Sequence, residues 1–196
     1  MTAQFPDSFI YNDKEYDLVA YSAEEPFNPT QLGFNPVGAC SACWRGYIAK
    51  YSLEADENLI LKDLSLSLFE VTGMEMKAIR GKSINGVLPA QDDHLSFLNN
   101  HYENINLSLR YTGGMLIVDD FIQDLYVHMG FHPAWKYREV HELIFEEGRL
   151  RSANDRSAEM AEIRKDLAER SLRPDMDAGW KEIFAWIERT FDQKYS

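Results

Sequence analysis

Up to about residue 152 the chain alternates apolar and polar side chains with a period of two, broken by short turn signals. Residues 8–11 and 15–22 flank Asn12-Asp13-Lys14 and predict a hairpin. Residues 44–53 and 59–68 flank the polar run 54–58 and predict a second. In its returning strand Ile60, Leu64, Leu66 and Leu68 share one face with Lys62, while Asp63, Ser65 and Ser67 share the other. Ile84-Asn85-Gly86-Val87 is a tight-turn signal, because Asn and Gly tolerate positive φ. Residues 105–111 alternate cleanly, and Thr112-Gly113-Gly114 then turns the chain into a strand over 115–118. Residues 140–145 and Leu150 flank Glu146-Glu147-Gly148, a further hairpin. Between the first two hairpins, residues 23–42 hold three prolines and two glycines and predict a long loop with one short turn at 29–32. Recurrent hairpins predict an antiparallel sheet, curled or barrel-like so that its edges are hidden.

The period changes after Ser152. Residues 155–172 place Met160, Ile163 and Leu167 on one narrow helical face, and Pro174 ends the run. A second helix carries Trp180, Ile183, Phe184, Ile187 and Phe191 as an apolar stripe. The fold class is therefore α+β: residues 1–152 as a hairpin-built antiparallel β domain, and 153–196 as a C-terminal helical hairpin packed on it. The helical stripe also offers a face for a homodimer.

At 196 residues the chain is long enough for a self-sufficient core. Two cysteines are too few for a disulfide framework, and no apolar run reaches about 18 residues. A cytoplasmic setting without membrane contact is the expectation. The net charge is −12, with nine acidic and three basic side chains in residues 1–60 alone. Such a surface repels nucleic-acid phosphate and attracts a basic protein.

Cys40-Ser41-Ala42-Cys43-Trp44-Arg45-Gly46-Tyr47 is the densest chemical signal. Its C-x-x-C reads as half of a zinc site, as a redox pair, or as two small residues closing a turn. Zinc needs Cys40 and Cys43 to meet His128 and His132 through the tertiary fold. On a strand, histidines four apart lie about 13 Å from one another, too far for one metal. A redox pair needs a helix N-terminus. The third reading is favoured, and no cofactor is expected. Trp44, Arg45 and Tyr47 place a rare cation beside aromatics, as a binding group or as an internal ion pair. Residues 126–137 form a second patch, with His128, His132, Trp135 and Tyr137, that suits a ligand pocket, an interface or a core. Asp93, His94, His101 and Asp120 are a further set for a metal or acid–base site. Gly81-Lys82-Ser83 lacks the earlier glycine of a P-loop, and neither G-x-S-x-G nor H-E-x-x-H occurs.

Cys43-Trp44-Arg45-Gly46-Tyr47 with its following strands, and Tyr111-Thr112-Gly113-Gly114 with the strand after it, resemble segments of uncharacterised β-rich bacterial proteins. The resemblance covers residues 9–68 and 105–150, implies a β-rich bacterial cytosolic protein, and carries no activity. The function expected is a non-enzymatic cytosolic binding protein whose acidic β surface and aromatic patches take a protein partner, a basic one in the manner of immunity or antitoxin proteins. The alternative is a small-molecule-binding or metal-dependent enzyme with a pocket around His128 and His132.

Overall fold

A computed structural model describes residues 2–73, 75–91, 97–168, 179–191 and 193–195. Twelve strands are present among them: β1 Asp7–Tyr11, β2 Lys14–Tyr21, β3 Tyr47–Leu53, β4 Leu59–Leu66, β5 Phe69–Thr72, β6 Glu75–Ala78, β7 Ala90–Gln91, β8 Asn100–Tyr102, β9 Leu107–Ser108, β10 Gly113–Phe121, β11 Tyr137–Glu146 and β12 Arg149–Asp155. Two helices follow, α1 Ser157–Ala168 and α2 Trp180–Phe191. Ten strands form one sheet in the order β12-β11-β10-β2-β1-β3-β4-β8-β7, with β9 also on β4. The sheet does not close into a barrel. β5 and β6 form a separate hairpin, with β6 exposed, that the sequence pattern did not predict.

Two-residue turns shape the β1–β2 and β11–β12 hairpins and the isolated bridge between Ile84 and Val87. Asn12 and Asp13 (φ 51° and 61°), Asn85 and Gly86 (46° and 81°), and Glu147 and Gly148 (49° and 83°) all lie in the left-handed region. Paired positive φ values give the twist that joins antiparallel strands without splay. One pairing breaks the hairpin grammar: β1 runs parallel to β3, with Phe9 opposite Tyr51. The long loop, with its short turn at Pro29–Leu32 as expected, is the crossover that makes a parallel pair reachable. The sheet is thus mixed, not purely antiparallel.

Register in β4 corrects the sequence reading. Lys50 pairs with Asp63 but Tyr51 pairs with Leu61, so Lys62 is an extra residue. The bulge flips the face, and Leu59 and Leu61 join Leu64, Leu66 and Leu68 in the main core while Ile60 does not. The run 105–111 keeps its alternation of burial, but only Leu107–Ser108 pairs as strand.

The main core lies on one face of the sheet and is aromatic-rich, with Phe9, Tyr51, Tyr102 and Phe145 fully buried. A smaller core on the other face joins Val19, Ala20, Leu116, Val118, Ala134, Tyr137 and Val140. α1 covers part of that face, packing on β11 and on the short turn Ala134–Lys136. It starts later than the periodicity predicts, because β12 runs to Asp155, whose carboxylate accepts the Ser157 amide at 2.8 Å. On α2, Trp180 and Phe184 are exposed, so these two stripe residues do not pack on the sheet. No described helix is long and apolar enough to cross a membrane.

Candidate functional site

Trp44, Arg45 and Gly46 form a turn, and β3 begins only at Tyr47. Gly46 is required there: its φ is 72°, and a Cβ would lie 2.1 Å from the Val37 carbonyl oxygen. Just before it, the Cys43 amide donates to the Cys40 carbonyl at 3.0 Å and the Cys43 thiol to the Tyr47 carbonyl at 3.6 Å. Burial pushes that thiol's pKa up, so it stays protonated. The two cysteines close a turn.

Arg45 is an internal cation. Its two terminal nitrogens fork onto both oxygens of Asp7 at 2.9 Å, and Nη1 also donates to Glu25 at 3.1 Å. Its guanidinium carbon lies 4.7 Å from the Tyr47 ring centre and 5.4 Å from that of Phe131. Tyr47 donates its hydroxyl to Glu25. Asp7 is buried because the parallel pairing sets β1 beside β3, where the Ala49 amide donates to it at 2.8 Å. Trp44 remains half exposed.

The N-terminal segment stitches the two sequence patches together. The Gln4 amide donates to the Gly130 carbonyl at 2.8 Å and the Phe5 amide to the Ala42 carbonyl at 2.9 Å. The Gln4 side chain donates to the Ser41 carbonyl and accepts from the Trp44 amide. Residues 2–6 therefore bridge the loop around 40–46 and the loop around 126–133.

Between these pieces lies a cleft of about 410 Å³, lined by Phe5, Asp17, Phe121, Tyr126, Phe131, His132 and Tyr137 among others. Asp17 faces it from β2, opposite Val118 on β10. At Asp120 the backbone is left-handed (φ 57°), and beyond it Phe121 packs against the smaller core, its ring on Tyr137. The Phe121 ring centre is 4.8 Å from that of His132 and 5.1 Å from that of Tyr137, and Tyr126 stands 5.2 Å from His132. These separations are those of mutually packed aromatic rings.

The polar groups of the cleft are perturbed in opposite senses. Burial raises the Asp17 pKa, and the Asp119 and Glu15 carboxylates add to this, while a hydrogen bond donated by Tyr137 opposes it. Burial, helped by the Lys136 charge, lowers the His132 pKa to about 4, so the ring is neutral near pH 7. Lys136 Nζ lies 3.3 Å from His132 Nδ1. An ammonium only donates, so Nδ1 accepts and the ring proton sits on Nε2. That buried Nε2 has no protein partner.

The remaining expected residues scatter. His128 is exposed and bonds Tyr126 Oη through Nδ1 at 2.9 Å. Trp135 lines a second cleft of about 370 Å³ on the same face, under α1, with Met160 and Ile163. Among the described residues no three His, Cys, Asp or Glu side chains gather to hold a metal, Cys40, Cys43, His128 and His132 included. His101 bonds Ser65 across β8 and β4 at 2.9 Å, Asp120 pairs with Arg138 at 2.8 Å, and Asp93 and His94 lie outside the described residues. Sequence reasoning missed Phe5, Asp17 and Phe121. The signal for Asp17 was its place as the one charged residue of the run Tyr16–Tyr21 in β2.

No protein-family model, curated protein or solved structure matches the chain.

Proposed function

We propose that this is a non-enzymatic, cytosolic binding protein that recognises a basic protein partner through the aromatic cleft, the sheet curling around its main core to present it. The observation that carries the reading is the exposed aromatic mouth. Phe5 is 52% exposed and Tyr126 45%, both at the cleft, and Trp44, 51% exposed, is tied to the same segment through Gln4. Large exposed aromatics around a concavity mark recognition surfaces. The net charge of −12 favours encounter with a basic protein. The test is affinity capture of basic proteins on the immobilised chain, compared with a Phe5→Ser/Tyr126→Ser variant. The expected result is salt-sensitive retention that the variant loses; equal retention by both would sink the reading. A second reading, a small-molecule site, is favoured by the unpartnered His132 Nε2 alone. It would be supported by a small neutral ligand that raises the melting temperature of the wild type but not of a His132→Phe variant.

A further inference from the structure

We infer that the cleft receives an arginine side chain of the partner, in the arrangement that the neighbouring turn already uses for Arg45. The inference rests on the reading of the cleft as the binding site and adds what enters it. Arg45 shows what this part of the fold does with a guanidinium: two aromatic rings, Tyr47 and Phe131, lie against it, and Asp7 takes its fork. The cleft repeats those components one wall away. Phe131 is common to both, since it also lines the cleft. Phe121 and Tyr126 supply further ring faces, and Asp17 supplies the carboxylate. What Asp17 lacks is a paired cation; the Lys136 ammonium bonds His132 instead. Among the described residues no lysine or arginine forms an ion pair with Asp17, and the charges that act on it are the carboxylates of Asp119 and Glu15.

A carboxylate in such surroundings is costly unless something compensates it. The Tyr137 hydroxyl is a partial answer, with one donor for a group that accepts several bonds. An incoming guanidinium supplies the charge and a planar fork, and its face stacks on the rings. A lysine head group supplies the charge without the plane. A neutral group of the same shape supplies the plane without the charge.

The test uses the whole chain and three small probes. Aromatic and side-chain carboxyl resonances are followed by NMR during titration with n-butylguanidinium, n-butylammonium and n-butylurea. The expected result is saturable shifts at Asp17, Phe121, Tyr126 and Tyr137 with n-butylguanidinium, weaker binding of n-butylammonium, and no saturable response to the urea. Asp17→Asn should weaken guanidinium binding by about tenfold or more. Tyr126→Leu, at the exposed mouth, should weaken it several-fold and serves should Asp17→Asn fold poorly. Equal affinity for the ammonium or the urea, or unchanged affinity in both variants, would overturn the inference. Loss of partner retention in the Phe5→Ser/Tyr126→Ser variant, with no response to n-butylguanidinium, would leave the binding face standing and remove the arginine.

Discussion

At the scale of single residues, Arg45 and His132 show how misleading an exposed-looking sequence context is. Arg45 is one of three basic residues in an acidic stretch of sixty, and the chain spends it internally on Asp7 and Glu25. Removing one partner of a buried pair leaves the other charge uncompensated. Arg45→Ala should therefore destabilise the fold by about 3 kcal/mol, read from urea unfolding. Arg45→Lys should recover only part of that, since an ammonium lacks the fork. His132 makes the opposite choice, a polar ring kept neutral by burial. Its folded pKa of about 4 lies below its ordinary 6.5. Above pH 6.5 both folded and unfolded rings are neutral, and the native state gains its full stability. Between pH 6.5 and 4 the unfolded ring takes up a proton that the folded ring refuses, so stability falls as pH falls. The slope is at most about 1.4 kcal/mol per pH unit. A His132→Gln variant should show a flatter stability curve over that window; parallel curves for the two proteins would refute the assignment.

At the scale of elements, the turns were legible in the sequence and the faces less so. Asn12-Asp13, Asn85-Gly86 and Gly148 announce their turns because Asn, Asp and Gly tolerate positive φ. The bulge at Lys62 was not legible, because an extra residue in a strand leaves the apolar content unchanged while swapping its face. The parallel pairing of β1 with β3 was hidden for a similar reason: alternation records which side a residue faces, not which neighbour it pairs with. The late start of α1 and the exposed Trp180 reflect tertiary context that periodicity does not see. Glycines separate by what surrounds them. Gly46→Ala meets the Val37 backbone and a left-handed φ together, and should cost about 3 kcal/mol. Gly86→Ala has a φ of 81° but open space, and should cost about 1 kcal/mol. A thermal or urea melt of the pair checks this; equal costs would mean that the contact with Val37 does not matter.

At the scale of the whole molecule, the candidate site is assembled from segments far apart in the chain, which is why only half of it could be read. His132 and Tyr137 stood out because they lie in a dense aromatic run. Phe5, Asp17 and Phe121 come from three other stretches and are brought in by the sheet order. The other end of the chain is tied down in the same way. Tyr21 donates to the Gln193 carbonyl at 2.8 Å and accepts from the Tyr195 amide at 3.1 Å, and the Tyr195 hydroxyl donates to Glu142 at 3.0 Å. Gly114 leaves room for that hydroxyl, which a Cβ would approach to 2.0 Å. Deleting residues 193–196 should lower stability by about 2 kcal/mol, given that it removes these three hydrogen bonds and the long one from the Gln193 side chain to the Val19 carbonyl, each of modest net worth. Unchanged unfolding of the shortened chain would show that the tail is not integral.

The bridging segment at residues 2–6 has a consequence for the time course of folding. Its bonds reach to residues 41–44 and 130, so they should close late, after the strands between have found their register. Contacts of such long sequence separation pay their loop-closure entropy late. The segment is held by few backbone bonds and no helix, so it belongs to the low-stability end of the native state. The amides of Gln4 and Phe5 should exchange with solvent deuterium well before those of Tyr51 and Leu61 in the main core. The cleft would then breathe through its N-terminal wall, while the sheet that positions Asp17 stays shut.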